Sequence, residues 1–151
     1  KKLDILVAGA ATLGKLTPLH QYDPKLWEDV FKLNVHANWR LIRALDPLLR
    51  TANNGRALFV TSSSADEVKQ YWGGYAASKA ALNELVRTYA AETAKTNLKV
   101  NLIDPGPTAT KLRLSAYPGE DQSTLPAPEE KAEMFLKALD VTFTGNGELI
   151  K

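Results

Sequence analysis

With 151 residues, 44% hydrophobic and 24% charged, the chain can bury one ordinary core and reads as one domain over residues 1–151. Its 19 basic and 17 acidic residues nearly cancel and are scattered, which leaves no footprint for nucleic acid or an anionic membrane surface. Cysteine is absent, which excludes disulfides and thiolate metal sites, His20 and His36 lack metal-ligand spacing, and no apolar run is long enough to span a bilayer.

Leu3 to Gly9 is an almost continuous apolar run ending in glycine, as expected of a strand buried on both faces of a parallel sheet. A loop follows through Pro18. Gly9-Ala10-Ala11-Thr12-Leu13-Gly14-Lys15 matches most of a phosphate-cradling GxxxxGK loop, but Leu16 stands where a magnesium-binding hydroxyl belongs, and Pro18 hinders the long helix such a loop needs. A plain glycine turn is the better reading; the alternative is a nucleotide hydrolase relying on Lys15.

Asp23-Pro24 predicts a helix start, with aspartate as N-cap and proline at the first helical position. From Leu26 to Leu49 apolar residues recur every three or four positions, the pattern of an amphipathic helix that Pro47 should bend or end. Asn34 lies on the apolar stripe and Asn38 one turn later. A buried amide must find partners, so Asn34 either ties down a neighbouring backbone or bends the helix, or it holds a water in a proton path. After the turn Asn53-Asn54-Gly55, residues Ala57–Val60 predict a second buried strand that runs into Ser62-Ser63-Ser64.

Gly73-Gly74 leads into a predicted helix from about Tyr75 to Lys95. Tyr75 and Lys79, four residues apart, share one face of it. A free phenol titrates near pH ~10, and a fixed ammonium beside it favours phenolate. Bringing it close to neutrality takes on the order of 4 kcal/mol, so it requires a partly desolvated cleft; a phenol so tuned serves as general acid or base. Trp72 is the tryptophan best placed to line such a cleft. Leu98–Ile103 predicts a third strand, followed by Asp104-Pro105-Gly106-Pro107, a loop from Thr108 to Pro128, a last helix from about Glu129 and a short strand at Glu148–Ile150.

Alternating strands and helices argue for a parallel α/β sheet, in which ligands bind beyond the carboxyl ends of the strands. Those ends carry Ala8-Gly9-Ala10, Ser62-Ser63-Ser64 and Pro105-Gly106-Pro107. A hydroxyl at the second could polarise a substrate carbonyl. No G-x-S-x-G elbow supports a serine nucleophile.

In order and approximate spacing, Asn34, the serine strand end, Tyr75-Ala76-Ala77-Ser78-Lys79 and Asp104-Pro105-Gly106-Pro107-Thr108-Ala109-Thr110 resemble the catalytic asparagine, serine, tyrosine and lysine and the PG motif of the short-chain dehydrogenase/reductase family. The resemblance implies a Rossmann-like doubly wound parallel sheet and an oxidoreductase that interconverts a small-molecule alcohol and a carbonyl with NAD or NADP. By that likeness Tyr75 handles the substrate proton, Lys79 lowers its pKa and bonds the nicotinamide ribose, Ser63 orients the carbonyl, and Asn34 holds a relay water. Ala8, Gly9, Pro105, Gly106, Thr108 and Thr110 would meet the cofactor. Length alone selects Ser62 as the serine; Ser63 is preferred because a deletion is easier in the loop than in the strand.

Two features depart from the family. Its Asn-Asn-Ala-Gly is replaced by Ala8-Gly9-Ala10-Ala11, and the TGxxxGxG turn that cradles the pyrophosphate has no match, as though roughly the first two β-α units were absent. The family's long helices build subunit interfaces, so a homo-dimer or homo-tetramer is implied; a cytoplasmic location is the default expectation for a chain with no membrane-length apolar run and no charged-then-apolar opening. The alternative to an enzyme is a non-enzymatic relative acting through dimerisation.

Overall fold

The computed structural model describes residues 1–151. Four strands, β1 (Ile5–Ala8), β2 (Arg56–Val60), β3 (Lys99–Ile103) and β4 (Leu149–Ile150), form one parallel sheet in the order β1-β2-β3-β4. Side chains alternate across a strand, and both faces of β2 and β3 are used. Ala57, Phe59, Val100 and Leu102 join Leu49, Leu82, Val86 and Tyr89 in the larger core, beneath α2 (Ala37–Arg50) and α3 (Gly73–Thr93). On the opposite face Leu58 and Ile103 pack with Ala138 of α5 (Ala132–Leu139). Helices on both faces of a parallel sheet make the α/β, doubly wound arrangement expected from the strand–helix alternation.

Asp23 caps α1 (Pro24–Phe31), accepting the Leu26 amide at 2.8 Å. Between α1 and α2 lies one π-helical turn, Lys32–His36, with Asn34 at its centre. Pro47 neither ends nor interrupts α2, which continues to Arg50. It sits on the exposed side, so the carbonyl that loses its helical partner can turn to water.

The glycine-rich segment after β1 opens no helix; the next element is a 3-10 turn at Leu19–Gln21, and the Lys15 amide donates to Tyr22 Oη. This removes the helix terminus that an anion-cradling loop requires. Gly14 instead has φ +69°, and a Cβ there would collide with Tyr22 and Val30. Gly74 gives the same Tyr22 ring room, since a Cβ on it would come within 2.7 Å. Small residues on both sides let Tyr22 wedge the β1 loop against the start of α3.

Candidate active site

The carboxyl ends of β1, β2 and β3 open onto a cleft of about 750 Å³, bordered by Gly9, Ser62, Ser63, Tyr75, Lys79 and the segment Asp104–Thr108 together with Thr110. Ala8 is the exception among the expected cofactor contacts. It is buried in the core under α3 and does not line the cleft, because alternation turns it inward.

Tyr75 and Lys79 project from the first two turns of α3 and are both buried. Lys79 Nζ donates to the Val60 carbonyl at 2.9 Å and lies 5.8 Å from the centre of the Tyr75 ring. Burial lowers the Lys79 pKa to about 8, against an opposing pull from Asp104. The phenol moves the other way from the sequence expectation: burial raises its pKa, the Ser62 hydroxyl beside it acts to lower it, and Asp104 raises it further. Desolvation prevails because Lys79, itself lowered to about 8, gives up its proton before the phenol ionises and so offers no ammonium to hold a phenolate.

The serines divide the work differently from the sequence expectation. Ser62 is the residue whose hydroxyl faces Tyr75, while it also caps the 3-10 turn Ser63–Ala65 by accepting the Ser64 amide at 3.2 Å. The Ser63 side chain bonds Glu67 instead. Ser62, thirteen residues before the tyrosine, is thus the serine beside the phenol in this structure.

Asn34 is wholly buried and its amide is used in full as a clamp. Oδ1 accepts the Thr12 amide at 2.9 Å, and Nδ2 donates to the Thr12 carbonyl and to Ser78 Oγ, each at 2.9 Å. Of the two readings open from sequence, tying down neighbouring backbone is the one this geometry displays. The Asn34 carbonyl accepts from Asn38 Nδ2 at 2.8 Å.

Several groups at the cleft carry no sequence signal. The segment after Pro107 folds into a short helix, α4 (Lys111–Ala116), capped by Thr110. It brings Leu112, Ala116 and the following Tyr117 against Trp72, itself edge-on to Tyr75 at 5.9 Å. Trp72 thus lines the pocket as its position suggested. Thr110 ahead of Arg113 was a legible cap; the Arg113–Glu120 pair was not, since seven residues within a loop define no face. Deeper, Thr61 Oγ1 donates to Asn83 Oδ1 at 2.5 Å, one helical turn beyond Lys79.

Residues 1–121 match the family model for short chain dehydrogenases. The chain is 37% identical over 135 residues to an uncharacterized oxidoreductase of Escherichia coli, YciK, covering 89% of this chain and 53% of that protein. It is 36% identical over 136 residues to an uncharacterized NAD-dependent oxidoreductase of Mycobacterium tuberculosis, covering 84% and 49%. A short chain dehydrogenase structure from Escherichia coli complexed with NADPH superposes with a TM-score of 0.94 at 35% identity, over 99% of this chain and 62% of that one. The chain thus spans about half the length of the curated relatives it matches. With the family match over residues 1–121 and a common fold over nearly its whole length, the chain belongs to the short-chain dehydrogenase family.

Proposed function

We propose that residues 1–151 form one domain, the catalytic portion of an enzyme that interconverts an alcohol and a carbonyl. The observation that carries this is the convergence of the Tyr75 phenol, the Ser62 hydroxyl and the Lys79 ammonium on one wall of the cleft. A nicotinamide cofactor, when bound, supplies or accepts the hydride. The chain's own residues manage the oxygen: Ser62 donates a hydrogen bond to it, and Tyr75 gives it a proton in reduction and takes one in oxidation. A phenol whose pKa is raised holds its proton at neutral pH, which favours the donating role.

The residues present fit the nicotinamide half of such a cofactor. Lys79 has three N–H donors and uses one on Val60, leaving two for ribose hydroxyls. At Gly106 a Cβ would meet nothing, so the backbone there stands open to a flat ring, with Gly9, Pro105, Thr108 and Thr110 around the same rim. Asn34 acts by fixing Ser78, and through it the first turns of α3; a relay water would rest on backbone rather than on its amide.

The NADPH complex and the NAD-dependent relative support a dinucleotide and leave NAD and NADP both open. No helix is long and apolar enough to cross a membrane, and a cytoplasmic location is part of this reading. Exposed Trp39 and Leu41 on α2, and Ala77 and Ala80 on α3, suit packing of copies into a homo-dimer or homo-tetramer. Titration with NADPH and NADH, followed by fluorescence, tests the proposal. Binding of at least one is expected, with turnover reduced by orders of magnitude in Tyr75→Phe; binding of neither, or full activity in that variant, overturns it.

A further inference from the structure

Three cations and three carboxylates border the cleft: Lys69, Lys79 and Arg113 against Glu67, Asp104 and Glu120. Every cation already has a partner. Lys69 lies 2.7 Å from Glu67, and Arg113 grips Glu120 through two hydrogen bonds of 2.6 Å while stacking 3.9 Å from the centre of the Tyr117 ring. Lys79 is buried against the Val60 carbonyl. Asp104 differs, being held by the Gly106 amide at 2.9 Å rather than by a cation, and its field reaches both Tyr75 and Lys79.

The remaining wall is aromatic, with Lys69 5.6 Å from the centre of the Trp72 ring and Arg113 beside that of Tyr117. Trp72 meets Tyr117 at 5.6 Å with the planes tilted 40°, and Leu112 and Ala116 pack into the same cluster. We infer that the cleft takes an uncharged carbonyl or alcohol compound with an aromatic or similarly flat apolar body, laid against Trp72 and Tyr117, and turns away compounds bearing a carboxylate or phosphate. The inference rests on the reading of Tyr75 and Ser62 as the site of the carbonyl oxygen.

The physical reason is twofold. An anion entering the cleft gives up its water, and to gain Lys69 or Arg113 it must displace that cation's own carboxylate, which returns little for the desolvation. Near the reacting oxygen it also meets Asp104, and like charges at close range in a partly dry site repel strongly. A neutral ring loses nothing on entry and gains offset or edge contacts with the two aromatic side chains.

Ligand-observed NMR on the protein without cofactor tests this with acetophenone and 4-acetylbenzoate, which differ by one carboxylate. Acetophenone is expected to bind, with 4-acetylbenzoate weaker by at least about tenfold. Asp104→Asn should narrow that ratio, and Trp72→Ala should weaken acetophenone while Trp72→Phe, which keeps a ring, retains it. Equal or tighter binding of the carboxylate, binding of neither probe, an unchanged ratio in Asp104→Asn, or indifference to Trp72→Ala each overturns the inference. Because no turnover is read, such a failure leaves the hydride-transfer proposal standing. A protein that binds acetophenone but neither dinucleotide loses that proposal alone.

Discussion

Lys79 shows what the site costs the fold. Its ammonium is buried with a single carbonyl partner, and its pKa of about 8 means the charged form is disfavoured by on the order of 3 kcal/mol at neutral pH. Lys79→Met removes that burden while leaving the Val60 carbonyl unpaired, so thermal or denaturant unfolding at pH 7 should show a gain of about 1–2 kcal/mol alongside lost turnover. The pH dependence has a definite sign. Between about 8 and 10 the unfolded chain still holds the lysine proton that the folded chain has released, so wild-type stability rises with pH across that window, and the variant should lack the rise. Above about 10, Tyr75 acts oppositely: its raised pKa keeps the folded chain protonated while unfolded tyrosine ionises, and stability falls.

At the scale of elements, the turn before α3 contains the one non-glycine residue with positive φ, Tyr71 at 73°. Its carbonyl accepts the Thr17 amide at 3.1 Å and its side chain is largely exposed, so the conformation is kept by what the backbone bonds and by Trp72 entering the cleft next to it. Tyr71→Gly should relieve the strain, raising stability by roughly 0.5–1 kcal/mol in equilibrium unfolding with cofactor binding unchanged. Elements with chemical punctuation were legible in the sequence: Asp23-Pro24 opens α1 because a carboxylate there satisfies a free amide, apolar runs of four residues mark β1 and β2, and Val100, Leu102 and Ile103 mark β3. The π turn at Lys32–His36 was not, since its residues keep ordinary helical spacing and only tertiary bonding to Asn34 distinguishes it. Tyr75 and Lys79 share the cleft-facing side of α3, as their spacing predicts, yet the direction of the tyrosine shift depends on how dry the cleft is, which spacing does not encode.

Over the whole molecule, two polar clamps join parts that hydrophobic packing alone would leave free to slide. Arg56, between the turn Asn53-Asn54-Gly55 and the strand expected from Ala57, is buried at the start of β2 and donates to the Gly55 and Val141 carbonyls, each at 3.0 Å, and to that of Asp140 at 3.4 Å. It thereby fastens the segment after α5 to the sheet. Arg56→Met should cost about 2–3 kcal/mol in unfolding, and Arg56→Lys should restore little of it, because a point charge cannot span three carbonyls. The other clamp is Asn34, which holds both backbone groups of Thr12 and the hydroxyl of Ser78. Thr12 belongs to no helix or strand, yet its N–H is shut away by a side chain anchored in the core. In deuterated solvent that amide should therefore exchange on the slow timescale of α3 rather than with its loop neighbours, and Asn34→Ala should return it to the fast class, a kinetic mark of how closely this loop is coupled to global unfolding.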